Sequence, residues 1–279
     1  MHIERVPEGA PALPRPSDPP LRFVEAAGAR YSYTVEGPGD APPIILVHGI
    51  PGGARDFRYL APLLAARLRV FRFELPGFGG NLAARLPSPW PRARAEAVIN
   101  FADALGLDHF ALLGHSMGGR TVIEVAGRWP ARVRQLVLVA SVGTRRHKSL
   151  APPAIMHAYA RLARLPGLRR PMIGLIRAAY RKFRFLAAVD RPDEELAWQF
   201  ELVRTIDLAG ARRAVSRIRC PALVSIAEDD PMIERAIADE LVDELREAQL
   251  LVFETGKHNI QKSRAPQLAD AILELTGAP

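Results

Sequence analysis

The stretch FALLGHSMGGRTVIEVAG, residues 110–127, passes from an unbroken apolar run into a glycine-flanked serine and then into a helical pattern. That order reads as a buried strand, a sharp turn and a helix, with Ser116 at the apex. Gly114 and Gly118 lie two residues to either side of it. Small residues there let neighbouring chains pass closely, and a central residue held in strained backbone angles projects its side chain outward. Alone, G-x-S-x-G is a weak signal. A serine hydroxyl is a poor nucleophile, so the rest of the chain has to supply what would activate it.

Working outward, six short apolar runs have strand length: 43–47 (PIILV), 70–75 (VFRFEL), 110–114 (FALLG), 135–140 (QLVLVA), 222–227 (ALVSIA) and 250–254 (LLVFE). Their near-continuous apolar character suits a sheet covered on both faces. Helical patterns at 56–66, 91–105, 117–128, 233–246 and 264–275 alternate with them. Strands alternating with helices imply crossover connections, hence an α/β fold with a mostly parallel sheet flanked by helices. Residues 21–37 read instead as an antiparallel hairpin around AAGA at the sheet edge.

The alternation stops between residues 141 and 215, where helical periodicity and five prolines occur without a convincing strand. This interval is expected to be an all-helical lid over the carboxyl edge of the sheet. Residues 21–140 and 216–279 then form the core, preceded by a proline-rich tail over 1–20. The tail has six prolines and no apolar signal-peptide core, and is expected to be extended and poorly ordered.

With 279 residues, 48% hydrophobic and 24% charged, the chain has an ordinary globular composition. No apolar run approaches the ~20 residues of a membrane-spanning helix. Cys220 is the only cysteine, which excludes an internal disulfide and makes a reducing cytoplasm the expected location. It precedes a strand and reads as a packing residue. The net charge of +8 is concentrated in one segment: between Glu124 and Asp190 there is no acidic residue and fourteen Arg or Lys. Mixed with Leu, Ile, Met, Phe and Tyr, these charges suit a weak contact with an anionic membrane, attraction of anionic substrates, or a solvated outer face over an apolar inner one. No nucleic-acid recognition motif accompanies them.

A base for Ser116, and a group to orient that base, are both at hand. FETGKHNIQKS puts His258 just after the last strand, and LVSIAEDDPMI puts Asp229 and Asp230 just after the strand before it. All three positions fall at carboxyl ends of parallel strands, the edge where open α/β sheets hold ligands. The chain order is serine, acid, histidine.

With LVHGIPGG after the first parallel strand, FELPGFGGN after the next, then GHSMGG and the pair AEDDP and GKH, the chain resembles the α/β-hydrolase fold family over roughly residues 21–277. The resemblance implies Ser116 as nucleophile, His258 as general base and then acid, and Asp230 as the orienting carboxylate. Asp230 is preferred because the family's G-x-x-D fits residues 227–230 with Ala in place of Gly, leaving Asp229 as a solvated loop carboxylate. By the same comparison the backbone amides of Ile50 and Met117 form the oxyanion hole. His48 and His115 are read as buried, hydrogen-bonded braces. Glu74 stands where the family usually has Asp, which should shift the bracing of its loop. His147 and His157 are read as lid-surface residues, and no metal ligand set or cofactor motif is found.

The chemistry expected from such a triad is hydrolysis of a small or medium apolar ester through an acyl-enzyme. Haloalkane dehalogenases and epoxide hydrolases of this fold use an aspartate at the position of Ser116. Perhydrolases, carbon–carbon hydrolases, acyltransferases and a non-catalytic binding protein remain open. The loop HGIPGG differs from the HGSGPG type often seen in carbon–carbon hydrolases.

Overall fold

The computed structural model describes residues 2–6, 13–82, 86–182 and 186–277. Its strands are β1 (His2–Val6), β2 (Arg22–Ala26), β3 (Ala29–Glu36), β4 (Pro43–Val47), β5 (Arg69–Phe73), β6 (Phe110–His115), β7 (Val133–Val139), β8 (Ala222–Ala227) and β9 (Ala248–Phe253). They form one sheet in the order β1-β9-β8-β7-β6-β4-β5-β3-β2. Pairing is parallel from β1 through β5, and antiparallel only where β3 meets β5 and β2. The mostly parallel sheet expected from the sequence is therefore present, with the hairpin at its edge. That hairpin turns on Ala27 (φ 50°) and Gly28 (φ 73°).

Each central strand sends alternate side chains to opposite faces. On one side Ile45, Val47, Phe71 and Phe73 pack with α2 (Pro91–Ala104), α3 (Met117–Arg128) and α9 (Arg235–Glu244). On the other, Ile44, Leu46 and Val70 pack with α1 (Ala61–Leu64) and α11 (Ala265–Thr276). Both faces are covered, which accounts for the unbroken apolar runs in the sequence.

Two expectations need correction. The helical pattern at 56–66 is a 3-10 turn, Ala54–Phe57, followed by the single turn α1. Pro62, in the first turn of α1, has no N–H to continue an earlier helix and so begins a new one. In the tail, residues 1 and 7–12 lie outside the described residues, but residues 2–6 form β1, paired in parallel with β9. A last strand leaves a row of open N–H and C=O groups, and the tail satisfies them.

Between β7 and β8 come α4 (Pro153–Leu162), α5 (Pro166–Lys182), α6 (Leu186–Val189), α7 (Asp193–Arg204) and α8 (Leu208–Val215). Prolines mark the starts of α4, α5 and α7. Ala160, Ala163, Met172 and Phe200 form a small core of their own. By contrast α8 packs on α3, where a Cβ on Gly127 would lie 2.5 Å from the Ala214 carbonyl oxygen. Much of the basic charge is neutralised in space: Arg164 and Arg204 pair with Glu201, Arg177 with Asp193, and Arg145 with Glu234 and Glu240.

The order β5-β4-β6 means that the chain leaves β4 in one direction and returns to its other side. A crevice opens at the carboxyl ends of β4 and β6, where that direction changes. Across it, a Cβ on Gly118 would sit 2.3 Å from the Val47 carbonyl oxygen and 2.5 Å from that of His48. Gly118→Ala should therefore lower unfolding stability by about 1–3 kcal/mol. Gly174→Ala, with open space around it within α5, should raise stability by about 0.4–1 kcal/mol. Urea unfolding of the two variants checks the contrast.

Candidate active site

Ser116 follows β6 directly and caps α3 with φ 54° and ψ −120°, a left-handed conformation that is costly for a residue with a Cβ. Hydrogen bonds hold it there. Its N–H donates to the Val139 carbonyl (3.0 Å), and its own carbonyl accepts from Gly119 N–H (2.9 Å) and Val142 N–H (3.1 Å). The turn is tight on all sides: a Cβ on Gly114 would meet the Gly118 carbonyl at 2.6 Å, and one on Gly49 would meet Ser116 Cβ at 2.8 Å.

The structure brings the three residues singled out in the sequence together. His258 Nε2 lies 2.9 Å from Ser116 Oγ, and His258 Nδ1 lies 2.8 Å from Asp230 Oδ2. All three are buried. The other Asp230 oxygen, Oδ1, accepts from the amides of Met232 (2.7 Å) and Ile233 (3.1 Å). Burial alone would raise the Asp230 carboxyl, but these bonds and His258 outweigh it and hold the group below its ordinary range. Asp230 stays ionised, with one oxygen fixed by backbone and the other presented to imidazole.

Met117 opens α3, so its N–H is one of those with no carbonyl a turn earlier to bond to, and the positive end of the helix lies behind it. Ile50 lies on the loop leaving β4, beside the strand that carries Ser116. Both line a cavity of about 430 Å³ that reaches Ser116. Its wall is mainly apolar and includes Leu175, Ile176, Phe200 and Val203 from the inserted helices.

The two neighbouring histidines brace loops, as expected. His115 Nε2 donates to the His258 carbonyl at 3.0 Å, while its Nδ1 is buried without a partner. Burial, reinforced by the nearby His258, pushes it down to about 3, so it stays neutral. His48 Nδ1 donates to the Gly49 carbonyl (2.8 Å) and Nε2 accepts from Leu75 N–H (3.1 Å), a pattern only the neutral ring can satisfy. Its pKa is lowered, chiefly by burial.

Sequence reasoning missed the roles of Asp229 and His147, and of Glu74 it expected only a shifted bracing of its own loop. Asp229 is not a solvated carboxylate. Its Oδ1 accepts from the amides of Gly256 (3.0 Å) and Lys257 (2.8 Å), and Oδ2 pairs with Lys257 Nζ at 3.0 Å, clamping the loop that presents His258. Glu74 accepts from Ser32 Oγ, Ala54 N–H and Gly80 N–H, tying together three segments beneath the site. His147 is no surface residue: it is buried, lines the cavity and bonds Ser149 Oγ through Nδ1 at 2.8 Å. Burial pushes it down to about 4. Only the fold could reveal these, because the burial of His147 and the partners of Asp229 and Glu74 depend on segments distant in sequence. His157 is exposed and bonds the Pro153 carbonyl. Burial pushes the Cys220 thiol up to about 11, in keeping with a packing role. Among the described residues no group of His, Cys, Asp and Glu has metal-binding geometry, and no helix is long and apolar enough to cross a membrane.

The pattern of the Alpha/beta hydrolase family matches residues 44–271. The chain belongs to that family. It is 28% identical over 262 residues to 2-hydroxymuconate semialdehyde hydrolase of Pseudomonas sp. (strain CF600), covering 90% of this chain and 92% of the relative. Haloalkane dehalogenase of Mycolicibacterium paratuberculosis is 30% identical over 264 residues, 88% of this chain and 86% of the relative. The chain spans only 34% of the length of a third relative, the dihydrolipoyllysine-residue acetyltransferase component of the acetoin cleaving system of Pseudomonas putida, at 34% identity over 125 residues, 45% of this chain. Among solved structures, a hydrolase from Pseudomonas aeruginosa PA01 superposes with a TM-score of 0.72 at 25% identity, covering 92% of this chain and 98% of that one.

The histidines set an acid limit on stability. In the unfolded chain His115 and His147 take a proton near the ordinary 6.5, but in the fold only near 3 and 4. Between pH 6.5 and 4 the unfolded chain therefore binds more protons than the folded one. The stabilisation is complete above 6.5 and is lost as pH falls through that window. Urea midpoints measured from pH 7 down to 4.5 should decline, and His147→Gln should flatten the decline.

Proposed function

We propose that this protein is a serine hydrolase that cleaves small or medium apolar carboxylic esters through an acyl-enzyme. The observation that carries the reading is the continuous relay Ser116–His258–Asp230, at 2.9 and 2.8 Å, opening onto an apolar cavity. As Ser116 Oγ attacks the ester carbonyl, His258 Nε2 takes its proton. Asp230, already ionised, stabilises the imidazolium and keeps its Nε2 aimed at serine. The negative oxygen of the tetrahedral intermediate is held by the amides of Met117 and Ile50, each worth about 3 kcal/mol of barrier in sites of this kind. His258 returns the proton to the departing alcohol, and water then repeats the cycle on the acyl group. The helices between β7 and β8 act as a lid that walls off the acyl pocket and keeps it dry.

The likeness to 2-hydroxymuconate semialdehyde hydrolase supports a second reading, hydrolysis of a carbon–carbon bond, in which the same serine attacks a ketone. The dehalogenase likeness has less chemical weight, because Ser116 stands where that chemistry on this fold uses aspartate.

With p-nitrophenyl butyrate as substrate, Ser116→Ala should lower kcat by roughly 10⁶-fold. Asp230→Asn should cost about 10³–10⁴-fold by losing the correct imidazole tautomer. Asp229→Asn retains an oxygen for the two amides it clamps and should cost less than about tenfold. Equal losses in the two aspartate variants would overturn the assignment. Full activity in Ser116→Ala would end both readings, since each uses that serine, whereas turnover of vinylogous diketones but not esters by the wild-type protein would favour the ketone.

A further inference from the structure

The cavity next to Ser116 is apolar except at a few points, and those points differ in what they leave unsatisfied. His147 and Ser149 bond each other. Tyr180, from α5, donates its hydroxyl to Gln199 Oε1 on α7. Gln199 itself is buried, 2% exposed, and lines the same cavity. Its Nε2 has no hydrogen-bond partner among the described residues. Among the described residues with an unpartnered buried side-chain atom, Gln199 is the one that lines this cavity.

A carboxamide whose oxygen is tethered has its two N–H donors fixed in direction. Burying such donors without an acceptor is unfavourable, and nothing in the packing requires it, since a leucine would fill the same volume. The tether itself is durable: burial raises the Tyr180 phenol well above its ordinary range, so the hydroxyl keeps its proton and remains a donor. Arg191 pairs with Glu195, one helical turn before Gln199 on α7. Gln199 therefore brings a neutral donor to this wall.

We propose that Gln199 is a substrate-binding residue that recognises an uncharged oxygen acceptor on the substrate, a keto, second ester or ether oxygen, remote from the bond cleaved at Ser116. The substrate class is thus an oxygen-bearing ester and not a plain alkyl ester. A carboxylate is disfavoured because the donor is neutral and Arg191 is already paired with Glu195. The inference builds on the ester-hydrolase reading and adds to it what the far end of the pocket selects.

The test uses p-nitrophenyl hexanoate and a matched set carrying one keto group at successive chain positions. In the wild-type protein one position should raise kcat/KM over the plain ester by about tenfold, mainly through KM, the size of one added hydrogen bond. Gln199→Leu should abolish that preference, and a circular dichroism spectrum and urea midpoint matching the wild type show that the variant is folded. Equal kcat/KM for every keto ester and plain hexanoate, or a preference that survives in Gln199→Leu, would overturn the proposal. The same ligands titrated calorimetrically into Ser116→Ala protein separate this claim from the ester reading. Tighter binding of one keto ester there, lost when Gln199→Leu is added, supports the proposal even if no ester is turned over. Equal affinities across the set overturn it.

Discussion

Everything at the carboxyl edge of the sheet depends on how closely the turn at Ser116 is wedged against the loop leaving β4. Gly118 lies so near the Val47 and His48 carbonyls that no Cβ fits between them, and Gly49 lies equally close to Ser116. A serine at φ 54° is not stable in isolation. It persists because hydrogen bonds to Val139, Val142 and Gly119 leave the backbone no alternative. The same wedge places the first N–H of α3 and the loop of Ile50 at one crevice. Candidate nucleophile and candidate anion-holding amides thus come from a single packing constraint.

Around that wedge lies a layer of groups outside the relay that set where it sits. His115 holds the His258 carbonyl, Asp229 grips the two residues before His258, and Lys262 just beyond it bonds Asp56 Oδ1 at 2.6 Å. On the other side His48 and Glu74 lock the loops after β4 and β5. These contacts join segments far apart in the chain, so a change in one is felt as a shift of imidazole or amide and not as lost chemistry. The inserted helices are fastened by similar means: Trp198 Nε1 donates to the Pro76 carbonyl at 3.3 Å, and its ring packs where a Cβ on Gly77 would be.

The fold was legible because a two-sided sheet leaves a plain trace, apolar runs that do not alternate, and because glycines must appear where backbones touch. The positions of Ser116, Asp230 and His258 were legible for the same reason, each following directly on a strand. What stayed hidden depends on partners that the sequence does not place. Asp229 looks like any loop acid until Gly256 and Lys257 fold over it, and His147 looks exposed until the chain turns it toward the cavity. The break at Pro62 was visible in the residue itself, whereas the pairing of residues 2–6 with β9 was not, since it answers an open sheet edge more than 240 positions away. Family membership sets the architecture, but the cavity wall comes mostly from the segment between β7 and β8, helices and loops together, whose residues carry no comparable pattern.

The central claim is that the strained hydroxyl becomes covalently acylated. Intact-mass measurement after rapid acid quench of the protein with a slowly deacylating ester tests it most directly, followed by peptide mapping. The account predicts a mass increase of one acyl group per chain, located on Ser116 and absent in His258→Ala. Turnover with no acylated species at any quench time, or an acyl group on another residue, would contradict it.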